Sequence, residues 1–143
     1  DEGIPQAARA LIGRERSRTL AVTEEQIRRF AQAIGENDPN SVPPLLLQSF
    51  IFEDVPPHRL PPDGSPAELD LPIPATRTVG GGSSFELPGT VKAGDVLRVV
   101  STLKDVYAKE GRSGTLYFIV IETRFLGQND ELVARETATY IKR

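Results

Sequence analysis

The sequence predicts an α+β fold in which a long, curved antiparallel sheet wraps a single amphipathic helix. Three observations carry that expectation. One stretch near the N-terminus has helical periodicity with a start and a stop signal. The C-terminal half breaks at glycine-rich turns into extended segments. Between them, Pro39 to Pro74 holds ten of the twelve prolines, and regular hydrogen-bonded structure is hard to sustain through such a run. With 143 residues and no repeat or long linker, the chain fits one domain, residues 1–143, around one sizeable core.

Taken in order, "QAARALIG" reads as a short N-terminal helix and "RSRTLAV" as a short strand. The helix proper is "TEEQIRRFAQAIG". Thr23 and Gln26 have the spacing of a capping box, and Gly35 is a natural stop. Ile27, Phe30, Ala31 and Ile34 fall at i, i+3, i+4 and i+7, a stripe that must cover a core, while Arg28, Arg29 and Gln32 face water. In the proline-rich middle, Leu45 to Phe52 reads as a buried helical turn or short strand, and Asp54 to Ala75 as a long irregular loop. Four extended segments follow, Ser83 to Leu87, Val96 to Tyr107, Thr115 to Leu126 and Glu131 to Lys142. The turns "AKEGRSG" and "GQND" are short enough to join antiparallel neighbours. Leu116, Phe118 and Val120 alternate with Tyr117, Ile119 and Ile121, so the central strand is apolar on both faces. A helix would cover one face, and a partner subunit or domain the other.

Composition excludes several classes. Net charge is −3 with a pI near 5.2, and the basic residues are scattered among acids, so nucleic acid is a poor partner. No cysteine is present, which removes disulfides, thiolate metal sites and cysteine nucleophiles. No apolar run approaches membrane-spanning length. Without a visible signal or transit segment, the default expectation is a soluble cytoplasmic protein whose true N-terminus lies beyond Asp1, since the chain has no methionine.

Three stretches then become specific together: "IGRERSRTLAVTEEQIRRFAQAIGENDP", "LPGTVKAGDVLRVVSTLKDVYAKEGRSG" and "IETRFLGQNDELVARETATYIKR". The chain resembles the MaoC-like acyl-thioester dehydratase and hydratase family over roughly residues 10–143, in particular the N-terminal or substrate-holding half. That resemblance implies the hot-dog fold, a sheet wrapped on a helix, with the central helix here shortened or replaced by the proline-rich loop to admit bulky acyl groups. It implies an acyl-thioester substrate, carried by coenzyme A or an acyl carrier protein. It also implies a homodimer, or a heterodimer with a catalytic hot-dog half. No metal or redox cofactor is implied.

Active halves of the family carry G-D-x-N-P-x-H after the helix. Syn addition of water to an enoyl thioester needs a base for the water and an acid near the alpha carbon on one side of the substrate. Aligned on glycine and proline, this chain reads Gly35, Glu36, Asn37, Asp38, Pro39, Asn40, Ser41. By that resemblance Glu36 stands at the aspartate's place as a candidate base, while Ser41 has no titrating group to replace the histidine. The chain's one histidine is His58, in "PPHRLPP", the other catalytic candidate. Asn37, Asp38 and Asn40 would contact substrate, although "ENDPNS" is equally a helix-exit turn rich in Asx residues. Gly80, Gly81 and Gly82 in "VGGGSS" would line the thioester by the resemblance, permit close backbone approach, or form a flexible connection. Lys109 and Arg112 could hold coenzyme A phosphates, or simply solvate a hairpin tip. Two other functions stay open. A hot-dog thioesterase would use Glu36 or Asp38 to activate water against the thioester carbonyl, and a binding module would hold acyl-coenzyme A without turnover. Acyl length and the choice between homodimer, heterodimer and excised half leave no mark in the sequence.

Overall fold

The computed structural model describes residues 3–143. A short α1 (Gln6–Arg9) precedes β1 (Glu15–Ala21), and α2 (Glu24–Ile34) follows at once. Then come single 3-10 turns at Leu46–Phe50, Pro57–Arg59 and Ala67–Leu69. The strands β2 (Thr78–Glu86), β3 (Val96–Gly111), β4 (Gly114–Leu126) and β5 (Leu132–Lys142) complete the chain. All pairings are antiparallel, in the spatial order β1-β3-β4-β5-β2. This is the α+β hot-dog arrangement.

The start and stop of α2 are those its sequence predicts. The Thr23 hydroxyl accepts the Gln26 N–H at 3.2 Å, and the Gln26 side chain accepts the Thr23 N–H at 2.9 Å. The helix does not, however, fill the sheet. Ile27 and Phe30 pack at the margin of a core cluster, and Ile34 is 58% exposed. The inner face is filled instead by the proline-rich segment, whose Leu46, Leu47, Ile51, Leu69 and Leu71 are buried. Proline lets this segment pack as isolated 3-10 turns where a continuous helix would be broken.

Two extended segments are longer than the sequence suggests. β2 starts at Thr78 and includes Gly80 to Gly82, with a bulge between Gly80 and Gly82 where it pairs with β5. The glycines are therefore ladder residues and not a flexible connection. Gly81 needs its missing side chain, because a Cβ there would sit 3.0 Å from the Thr139 carbonyl oxygen and 3.3 Å from Ile141. β3 runs on to Gly111, which faces Gly114, so the hairpin loop shrinks to Arg112 and Ser113 and Lys109 becomes a strand residue.

Along β4, Tyr117, Ile119, Ile121, Thr123 and Phe125 are buried beneath the proline-rich segment, whereas Leu116, Phe118 and Val120 are half-covered on the outer face. The core consists of two clusters. One gathers Leu20, Val22, Leu46, Leu47, Val99 and Phe125 at the α2 end. The other gathers Ile4, Ala8, Leu69, Leu103, Val106 and Ile119 at the far end. Among the described residues, no backbone hydrogen bond links residues 42–75 to a strand. Side chains hold the segment instead. Arg14 donates to the Glu68 carbonyl at 3.2 Å, Arg18 donates to the Phe50 carbonyl, and the Phe52 ring tilts against Tyr140 at 5.8 Å. The Thr78 hydroxyl donates to Asp63 at 2.6 Å, with the Lys142 ammonium 3.7 Å from the same oxygen. Donation from Ser65 and Thr78 holds the Asp63 carboxyl well below its ordinary range.

Candidate functional site

The C-terminus of α2 builds the site. Gly35 adopts φ 78°, in the left-handed region, and donates its N–H to Gln32 at 3.3 Å while Glu36 N–H reaches Ala31 at 2.9 Å. These paired bonds close the helix as a Schellman motif and turn the chain sharply. The next residues fold on themselves. A Glu36 carboxylate oxygen accepts the Asp38 N–H at 2.9 Å, a carboxylate oxygen of Asp38 accepts the Asn40 N–H at 2.9 Å, and the Asp38 carbonyl accepts the Ser41 N–H at 3.1 Å. Each acid thus closes a turn two residues on, the role expected of an Asx-rich exit from a helix.

This turn is also a wall. Glu36, Asn37, Asp38, Asn40 and Ser41 line an open cleft of about 630 Å³, opposite Ile27 and Ala31 of α2 and bounded by Val42 and Ala93. The half-exposed stripe of the helix is therefore the apolar side of the cleft, and the acid-amide run its polar side. A second cleft of about 350 Å³ adjoins it at Val42 and is apolar, with Pro43, Leu46, Leu47, Leu87 and Val91 in its walls. An apolar chain with a polar head suits this sequence of surfaces.

The structure brings together four of the sequence-derived candidates, Glu36, Asn37, Asp38 and Asn40, and separates the rest. His58 stands exposed in the turn Pro57–Arg59, and among the described residues no imidazole lines the cleft. Gly80, Gly81 and Gly82 lie in edge strand β2. Lys109 projects over the stacked rings of Tyr107 and Phe118, 5.7 and 5.5 Å from their centroids. It lies thirteen residues along β3 from Val96, roughly 40 Å of extended strand, with Arg112 beyond it at the hairpin tip. Within one chain neither cation reaches the cleft. Among the described residues no group of acids and histidines could hold a metal ion, and no helix is long and apolar enough to cross a membrane.

Sequence reasoning missed the polar groups buried on the inner face, Thr123, Glu136 and Lys142, each less than 5% exposed. Strand parity places Thr123 on the face of Ile119 and Ile121, but which strands stand beside it is a matter of pairing that no local signal reports.

The family described as FAS1-like, dehydratase domain region, matches residues 10–136. Among solved structures, the HadBC (3R-hydroxyacyl-ACP dehydratase) complex from Mycobacterium tuberculosis superposes with a TM-score of 0.66 at 17% identity, covering 92% of this chain and 96% of that one. The ChsH1-ChsH2 complex from the same organism gives 0.60 at 18% identity, over 96% and 86%. A MaoC-like dehydratase from Phytophthora capsici gives 0.67 at 20% identity, over 97% of this chain and 50% of that one, so this chain spans half its length. No curated protein sequence matches the chain. The chain belongs to the family of FAS1-like dehydratase domain regions, built on the hot-dog fold it shares with MaoC-like dehydratases.

Proposed function

We propose that this domain is the substrate-holding half of an acyl-thioester dehydratase or enoyl hydratase, and that a second hot-dog half supplies the acid and base. One observation carries the reading. The turn after α2 lines the cleft, yet it places Ser41 where the dyad's histidine is expected and engages the Glu36 and Asp38 carboxylates with backbone amides two residues on. A serine hydroxyl does not titrate near neutral pH, so proton transfer at that position has no carrier. The cleft retains what binding requires, an apolar wall from α2 and an adjoining apolar cleft for an acyl chain. The half-covered outer face of β4 and the exposed stripe residue Ile34 leave surface for another unit. Two similar structures are complexes by name, HadBC and ChsH1-ChsH2, which supports pairing with a heterologous half over a homodimer.

In this reading the chain supplies affinity and alignment, and the partner supplies the protons. Hydration adds the water oxygen at the beta carbon and a proton at the alpha carbon, and dehydration reverses both. Holding the thioester so that both carbons face the partner's dyad is worth a large part of the rate. The test is loss of the enoyl-thioester absorbance of crotonyl-coenzyme A with the purified chain, without and then with a hot-dog half carrying G-D-x-N-P-x-H. Turnover only in the mixture is the expected result. Turnover by the chain alone overturns the reading, and release of free thiol instead identifies a thioesterase.

A further inference from the structure

The two core clusters are separated by a row of polar side chains that crosses the inner face of the sheet at a single register. Arg16 pairs with Ser101, Ser101 with Thr123, Thr123 with Glu136, and Glu136 with Phe85. The rows on either side are apolar, Val99, Phe125 and Ala134 toward α2, then Leu103, Ile121 and Ala138 beyond. Thr123 is fully buried, and its hydroxyl has no hydrogen-bond partner. Glu136 is 3% exposed; burial raises the pKa of its carboxyl, and a hydrogen bond with Ser83 opposes that shift. An unpartnered buried hydroxyl is costly in an otherwise apolar interior, unless something it can bond to arrives.

We propose that this row is the end of the acyl-binding site and recognises an oxygen, a hydroxyl or keto group, near the far end of a long acyl chain. The proposal rests on the acyl-thioester reading and adds the substrate class. Two adjoining clefts lead toward the row, and the closed core of Leu46, Leu47, Val99 and Phe125 lies between them and it. An acyl chain would enter at the cleft walled by Glu36 to Ser41, follow the apolar cleft to Leu46 and Leu47, and part the cluster of Val99 and Phe125 to reach the row. Ala93 bounds the first cleft, and from Val96, three residues on, five residues of β3 lead to Ser101, roughly 16 Å, a distance spanned by a chain of about a dozen carbons. The covering segment crosses the row from Arg18, which holds the Phe50 carbonyl, to Tyr140, which holds the Phe52 ring. Because no backbone hydrogen bond ties it to a strand, a guest can lift it without breaking the ladder. Ser101, Thr123, Glu136 and Phe85 include no cation, and the row's guanidinium, Arg16, sits at its open end in a cleft of about 340 Å³ shared with Glu53 and Glu68. A neutral oxygen therefore fits the buried end better than a charged one.

The experiment is calorimetric titration of the full chain with dodecanoyl-coenzyme A and with 12-hydroxydodecanoyl-coenzyme A, repeated on Thr123→Val. The parent is expected to prefer the hydroxylated chain by about tenfold, the worth of one hydrogen bond to a buried orphan group. Thr123→Val is expected to bring that ratio near one. This variant removes an unpaired hydroxyl at constant shape, so the fold should persist, and Glu136→Gln provides an independent second test of the same ratio. Equal affinity of the parent for both chains, or an undiminished preference in Thr123→Val, overturns the proposal while the acyl-thioester reading stands. Failure of both chains to bind overturns that reading and the proposal with it.

Discussion

Glu36 shows how little a single residue's identity says until its bonds are known. Its position after Gly35 marks it as a base, whereas its carboxylate closes a turn on the Asp38 amide. In the paired assembly, Glu36→Gln should therefore leave kcat for crotonyl-coenzyme A within about twofold, because the amide oxygen can accept the same bond and the proton carrier is on the partner. A positioned acid or base typically contributes ~10²- to 10⁴-fold, so a loss of that size would place the base in this chain. The substitution also separates two readings that the sequence leaves equally open, turn and catalyst. The sequence showed which residues enter the cleft, since Glu36 to Ser41 are contiguous and follow a helix stop. It did not show Thr123 and Glu136 together, because they are neighbours only through the β4-β5 register, and register is set by the whole sheet.

Among the elements, α2 was legible because its instructions are local, with cap, stripe and glycine stop all within thirteen residues. Thr23→Ala removes one half of the reciprocal cap and should cost about 1 kcal/mol in chemical denaturation, with little effect on the strands. A cost near zero would mean that the first turn is held by Glu25, which bonds Arg28 and Arg29 at 2.7 and 2.9 Å. The sequence did not reveal where the helix packs. An amphipathic stripe states that something covers it, not what, and Ile34 shows that in this chain the cover is incomplete. β2 was misread at its start for a related reason. Glycine has poor strand propensity, and only the close approach of the Thr139 carbonyl explains why glycine belongs there.

For the whole molecule, a half-buried carboxyl, Asp63, and a buried one, Glu136, set opposite limbs of the stability curve. Asp63 has a folded value below its ordinary 3.8, so its contribution is present above that pH and is lost as pH falls below it. Glu136 has a folded value above its ordinary 4.5, so its contribution is present below that pH and is lost as pH rises toward the raised value. Thermal melts from pH 3 to 8 should therefore show Glu136→Gln flattening the decline above pH 4.5. Asp63→Asn should flatten the acid limb and lower stability at neutral pH by about 2 kcal/mol, for the weakened bonds from Thr78 and Ser65. Unchanged limbs in both variants would show that other groups govern the curve. Asp63 anchors the proline-rich segment to the sheet through side chains alone, and that has a consequence for descent. The ladder of β1 to β5 and the filling at residues 42–75 are separately heritable. Insertions, deletions and rewritten prolines in the filling leave every strand hydrogen bond in place, so one frame can pass through lineages while its guests change.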